Sequence, residues 1–237
     1  VPAARVGPFD PRQSAGANAT GHAVGGTAWY RKHFVVREAG KRVAVRFDGV
    51  YMNAELWLNG RRLGEHPHGY TAFEFDLTPY LNPPGQDNVL AVKVRNEGRN
   101  SRWYSGSGIY RHAWLTIREP VHVPTWGVFV TTPEVAKERA VVKVTVEIRN
   151  TTNATTTAVS RVRLRDPAGL VVNGPDAATA LGAGETRVAE HRFEVPAPAL
   201  WSAGTPSLHV AEAEIAVGGR TVDVARTSFG IRKTEED

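Results

Sequence analysis

Hydrophobic and polar residues alternate with a period of two along most of this chain, and the pattern predicts strands almost from end to end. In 42–47, Val43, Val45 and Phe47 share one face and Arg42, Ala44 and Arg46 the other. Segment 72–77 sets Phe73, Phe75 and Leu77 against Glu74 and Asp76. Segment 88–95 sets Leu90, Val92 and Val94 against Val89, Ala91, Lys93 and Arg95. Strand chemistry also marks 29–36, 54–58, 61–64 and 112–118. Asn59-Gly60, the strongest short hairpin signal in the chain, and Asn82-Pro83-Pro84-Gly85 supply turns between these runs. Residues 1–28, rich in Gly, Pro, Ala and Ser, read as an irregular lead-in. This part shows no convincing 3.6-residue period, so it is predicted to be a β-sandwich, of jelly-roll type.

Glu119-Pro120 marks a boundary, and a second set of strands follows it. In 140–150, Val142, Val144, Val146 and Ile148 point inward and Lys143, Thr145, Glu147 and Arg149 outward. Arg161, Arg163 and Arg165 alternate with Val162 and Leu164, the mark of one solvated strand face. Further strands are predicted at 127–131, 158–166 and 186–195, and at 208–217 and 220–228 across Gly218-Gly219. These six strands, close to seven, in about 110 residues match the size of an immunoglobulin-like sandwich. The chain therefore reads as all-β: a jelly-roll domain over 1–120 and an immunoglobulin-like domain over 121–237.

Composition narrows the function little. With 237 residues, 41% hydrophobic and 22% charged, the chain can bury one large core or two ordinary ones. It has no apolar run long enough for a helical membrane span. Cysteine is absent, which removes disulfides and thiolate sites but leaves the cellular compartment undecided. The net charge of +5 raises a nucleic-acid reading. The basic residues, however, are scattered among acidic ones, with no basic tail and no recognisable nucleic-acid module. Asn150-Thr151-Thr152, Asn153-Ala154-Thr155 and Asn18-Ala19-Thr20 are glycosylation triplets that matter only in a glycosylating host.

Candidate chemistry concentrates in 100–115, NSRWYSGSGIYRHAWL. Arg102, Trp103 and Tyr104 precede a flexible Ser105-Gly106-Ser107-Gly108 run. Aromatic faces beside a guanidinium suit a sugar, which has apolar C–H faces and polar hydroxyls. Core residues at a strand end are the other reading of Trp103 and Tyr104. Ser107 does not sit in a nucleophile elbow, and Gly106-Ser107-Gly108 is not a dinucleotide fingerprint. His66 and His68 flank Pro67 on a loop without a third nearby ligand, which favours a sugar-site rim or a solvated loop over a metal. Glu55, Glu74 and Asp76 look like outward surface residues, so no dedicated acid/base pair is evident. No cofactor is implied.

Several segments, taken together and in order, resemble the front part of family 2 glycoside hydrolases, the β-galactosidase and β-glucuronidase group. Gly26-Thr27-Ala28-Trp29-Tyr30-Arg31-Lys32-His33-Phe34 resembles the family's G-x-x-WYRK-x-F strand. Phe47-Asp48-Gly49-Val50 and Ala54-Glu55-Leu56-Trp57-Leu58-Asn59-Gly60 resemble its F-D-G-V and A-x-V-x-L-N-G segments. The stretch from Gly64 and His66 to Gly69-Tyr70-Thr71-Ala72-Phe73-Glu74-Phe75-Asp76-Leu77-Thr78 resembles G-x-H-x-x-GYTPFEFDLT, with Ala72 in place of proline. Ser101 to Arg111 resembles SRWYPGAGIYR, with Ser105 and Ser107 replacing proline and alanine. Leu200-Trp201-Ser202 and Phe229-Gly230-Ile231-Arg232 resemble the later LWS and FGIR motifs.

The resemblance implies a sugar-binding-like jelly roll and an immunoglobulin-like sandwich, followed in the family by a (β/α)8 barrel with two catalytic glutamates. The barrel is absent from this sequence, so the expectation is a non-catalytic piece of a larger retaining hydrolase. Its partners would be its own barrel and a β-galactoside or related glycoside. The family's domain interfaces often supply dimer or tetramer contacts, which leaves a homo-oligomer open. By motif position, Asn100, Arg102, Trp103 and Tyr104 would line the pocket of the full enzyme, with His66 and His68 as secondary rim candidates. Trp29, Tyr110 and Arg111 read instead as core or loop-pinning contacts. A free-standing carbohydrate-binding module and a structural or interaction sandwich pair remain alternative readings.

Overall fold

A computed structural model of the chain describes residues 9–22, 24–98 and 106–233. The chain divides into two compact units, Val1–Ile117 and Arg118–Asp237. No helix among the described residues is long and apolar enough to cross a membrane.

The first unit carries β1 (Gly26–Val35), β2 (Arg42–Phe47), β3 (Val50–Tyr51), β4 (Ala54–Leu58), β5 (Arg61–His66), β6 (Phe73–Asp76), β7 (Asp87–Asn96), β8 (Gly108–Ile109) and β9 (Ala113–Arg118). One sheet has the order β1-β7-β4-β5 and another β6-β2-β9, while β3 pairs with β8. The alternation read from the sequence is the cause. Val43, Val45 and Phe47 of β2 meet Leu56 and Leu58 of β4 and Leu90, Val92 and Val94 of β7 in one buried cluster. Packing two inner faces this way makes the jelly-roll sandwich. Among the described residues before Gly26, a short 3-10 turn at Ala17–Thr20 is the one helical element.

The inward stripe of β7 ends in a buried asparagine at each terminus, Asn88 and Asn96. Asn88 Oδ1 accepts from Asn59 Nδ2 at 2.9 Å and from Asn82 N at 2.8 Å. Asn59 itself opens the β4–β5 hairpin. It and Gly60 hold φ of 51° and 82°, both positive, as the tight two-residue turn demands.

The second unit carries β10 (Val121–His122), β11 (Val128–Val135), β12 (Arg139–Asn150), β13 (Thr156–Arg165), β14 (Val171–Asn173), β15 (Ala177–Leu181), β16 (Thr186–Pro196), β17 (His209–Val217) and β18 (Arg220–Phe229). β12 is flanked by β10 and β11 on one side and by β16 on the other. The opposing sheet runs β14-β13-β17-β18, with β15 also on β13. Val142, Val144, Val146 and Ile148 of β12 face Val162 and Leu164 of β13 and Ala213 and Ile215 of β17 across a shared core. This is an immunoglobulin-like arrangement without its disulfide.

The solvated face of β13 is an ion-pair ladder. Arg161 bonds Asp176 at 2.9 Å and Glu214 at 3.1 Å, and Glu212 takes both Arg163 and Arg226. Burial pushes the Glu212 carboxyl up, but the two guanidiniums outweigh it and hold the group below the usual range. Asn150 is fully buried, with Nδ2 donating to Ala154 O and Gly182 O at 2.7 and 2.8 Å, so the first of its loop's two glycosylation triplets is closed to modification.

Candidate functional site

Asn100, Arg102, Trp103 and Tyr104 lie outside the described residues. The structure describes the residues on either side of that segment and the loops that pack against them. Asn96 closes the loop at its base, donating from Nδ2 to Ser107 Oγ at 2.6 Å and to Gly106 O at 3.2 Å. Gly108, assigned from sequence to a run too flexible for a strand, instead pairs with Tyr51 in the β3–β8 ladder. Its φ is 105°, and a Cβ there would fall on Tyr30 Oη, so glycine is required.

Aromatic rings lock the neighbouring loops onto one another. The buried Tyr51 ring lies flat on Gly69, and the Tyr110 ring lies on Gly49. Tyr110 Oη also donates to Gly69 O at 3.0 Å. Tyr70 stands edge-on to Tyr51, with ring centroids 5.2 Å apart. Tyr110 is therefore a loop-pinning residue, as the motif reading had it, and Arg111 stacks beside it at 5.4 Å. Trp29 departs from the core reading. It sits 48% exposed on the outer face of its sheet, against Trp57 at 5.0 Å, because odd-numbered residues of β1 point away from the sandwich interior. Tyr110→Phe is expected to lower stability by about 1 kcal/mol, the usual worth of one hydrogen bond, as read by urea unfolding.

His66 and His68 meet on a single hydroxyl. Thr71 Oγ1 lies 2.9 Å from His66 Nε2 and 3.3 Å from His68 Nδ1. Tyr70 N donates to His68 Nδ1, so that nitrogen accepts; Thr71 can donate to it and receive the proton of His66 Nε2. His66 also stacks on Phe73 at 4.3 Å. Burial, then the neighbouring His68, pushes the His66 imidazole below its ordinary pKa, which keeps it neutral at pH 7. Among the described residues no three His, Asp or Glu side chains stand close enough to hold a metal ion.

Two carboxylates near these loops, Asp48 and Glu55, are engaged by neighbouring side chains. Asp48 accepts from Trp114 Nε1 at 2.8 Å and pairs with Arg46 at 3.2 Å. Glu55 pairs with Lys93 at 3.0 Å, and that bond holds its carboxyl below the usual range. The described part of this region therefore consists of aromatic rings packed on glycines and of the His66–Thr71–His68 hydrogen bonds. Sequence reading missed Tyr51, Thr71 and Asn96. Only Asn96 left a legible trace, as a polar residue on the inward stripe of β7.

Residues 15–118 match the family described as glycosyl hydrolases family 2, sugar binding domain, and residues 121–232 match glycosyl hydrolases family 2. The beta-galactosidase BoGH2A of Bacteroides ovatus is 40% identical over 88% of this chain, and a putative beta-glucuronidase of Formosa agariphila is 35% identical over 90% of it. The chain spans 25% and 20% of the lengths of those two proteins. A solved structure of a family 2 member from Bacteroides cellulosilyticus superposes with a TM-score of 0.89 at 42% identity, over 98% of this chain and 30% of that one. The chain belongs to glycosyl hydrolase family 2 and corresponds to its N-terminal sugar binding domain and the immunoglobulin-like domain that follows it.

Proposed function

We propose that this chain is the non-catalytic front part of a β-galactosidase-like glycosidase, where it scaffolds the catalytic domain and lines one side of its sugar pocket. The observation that carries the proposal is coverage: nearly the whole chain matches solved and curated relatives, yet it accounts for only a fifth to a third of their lengths. In this reading the acid/base and nucleophile belong to a (β/α)8 barrel. Trp103 supplies a stacking face, and Arg102, Asn100 and Tyr104 supply hydrogen bonds to sugar hydroxyls. His66 and His68 sit at the rim. The ligand is a β-galactoside or related glycoside.

Two measurements test this. Titration of the 237-residue chain with galactose, glucuronate and mannose should give millimolar or weaker binding and no hydrolysis. Binding at tens of micromolar or tighter would make the chain a carbohydrate-binding module in its own right. In the polypeptide that includes the barrel, Trp103→Ala should lower kcat/KM about tenfold, or about 1.4 kcal/mol, with little loss of stability. Wild-type kinetics in that variant would remove Trp103 from the pocket.

A further inference from the structure

The outer face of the β1-β7-β4-β5 sheet carries two indoles in contact. The register sets the residues there in rows. Trp29 pairs with Lys93, which pairs with Glu55, and Arg31 pairs with Ala91, which pairs with Trp57. The two tryptophans thus start from strands that are two apart, about 10 Å between backbones. Their ring centroids are nevertheless 5.0 Å apart, with the planes tilted by 38°. They meet over β7, where Ala91 offers only a methyl group and leaves them room. The opposite faces of these strands already supply the core, through Leu56, Leu58, Leu90, Val92 and Val94, and neither indole belongs to it.

The charges around the pair are not all matched. Glu55 takes Lys93 at 3.0 Å and Arg62 at 3.7 Å, and Arg62 also takes Glu65 at 2.6 Å. Just past β7, Glu97 accepts from Thr27 at 3.4 Å. Arg31 and Arg95 stand in the rows on either side of Trp29, and neither hydrogen-bonds or ion-pairs with a carboxylate among the described residues. Arg31 instead lies over the Trp29 ring, with Cζ 5.7 Å from its centroid. Stacking uses the flat face of the guanidinium and leaves its N–H edge free for an oxyanion.

An aromatic surface beside such an edge suits a sugar that bears a carboxylate. The C–H face of the ring lies on the indoles, and the carboxylate takes two parallel N–H bonds from the guanidinium. We propose that the Trp29–Trp57 face binds an oligosaccharide containing a uronate, with Arg31 holding the carboxylate. Charge complementarity selects this occupant. A protein partner needs about 800 Å² with a core poor in Lys and Glu, whereas Lys93 and Glu55 adjoin the indoles. A nucleic-acid strand also stacks on aromatic rings, but it needs a positive groove along its backbone, and Glu55, Glu65 and Glu97 interrupt this one. The inference does not depend on the function proposed above.

The test titrates the 237-residue chain with xylotriose that carries a glucuronate branch and with unbranched xylotriose, following the indole N–H signals of Trp29 and Trp57 by NMR. Both signals should move, and the acidic sugar should reach its midpoint at about tenfold lower concentration, the worth of one charge-assisted contact. Arg31→Gln should bring the two midpoints together and leave the thermal midpoint of the chain unchanged, since Arg31 is exposed. Trp29→Ala should abolish the response to both sugars. The assignment is overturned if neither indole signal moves, or if the two sugars titrate alike in the parent chain. It also fails if single-stranded oligothymidylate moves the same signals at lower concentration than the acidic sugar, or if the chain dimerises in a way that Trp29→Ala abolishes.

Discussion

Gly69→Ala is expected to destabilise the first unit by about 2–3 kcal/mol, a large effect for one methyl group. The new Cβ would land on Cδ2, Cε2 and Cγ of Tyr51, atoms at the root of the ring rather than at its tip. Tyr51 is 6% exposed, and its strand is fixed by the pairing with Gly108. The backbone cannot retreat either, because Gly69 O is held by Tyr110 Oη. Strain therefore has no cheap outlet on either side. Urea unfolding should show a lower midpoint with an unchanged slope. Tyr51→Leu in the Gly69→Ala background should recover part of the loss, because the two residues form one contact and their effects do not add. Equal stability of Gly69→Ala and the parent would mean that the loop is not clamped. In the longer enzyme the same substitution should also reduce kcat/KM, since it moves the segment that carries His66, His68 and Thr71.

That clamp also shows where sequence reading ends. Alternation made the long strands legible: β2, β7, β12, β13 and β16 bury one face each, and a period of two is the direct trace of that. Asn59-Gly60 and Gly218-Gly219 were legible because a two-residue hairpin needs positive φ. The short strands β3, β8, β10 and β14 escaped, since two or three residues carry no period. β1 was recognised by its residue types, but its edge position leaves nearly every side chain exposed and erases the alternation. At the candidate site, composition could point to an aromatic, glycine-rich loop. It could not show that Gly49, Gly69 and Gly108 are glycines because rings from elsewhere in the chain lie on them. Such contacts are set by tertiary approach and leave no local spacing to read.

The second unit should lose stability steeply between pH 7 and pH 5. His122, His191 and His209 are each at most 6% exposed. Burial pushes all three imidazoles below their ordinary pKa; the carbonyl of Glu119, 2.7 Å from His122 Nδ1, only partly opposes this. Ser160 Oγ lies 2.9 Å from His191 Nε2, and the His209 ring packs on Phe229 at 5.5 Å. A folded-state pKa below the unfolded value of about 6.5 means that the unfolded chain takes up protons first as pH falls. The stabilisation is therefore complete above about pH 6.5 and is lost as pH drops beneath it. Each histidine still neutral in the fold contributes about 1.4 kcal/mol per pH unit to that loss. The depressed carboxyls of Glu185 and Glu212 act with the same sign, but only below the usual carboxylate range. The two windows are thus separable by denaturant unfolding at pH 7.5, 6.0, 5.0 and 4.0. His209 is the variant of choice, because neither ring nitrogen has a protein hydrogen-bond partner among the described residues. His209→Leu should leave stability at pH 7.5 within about 1 kcal/mol of the parent and flatten the slope between pH 6 and pH 5 by about one proton's worth. An unchanged slope would show that His209 charges in the folded state, which requires its site to be open to water.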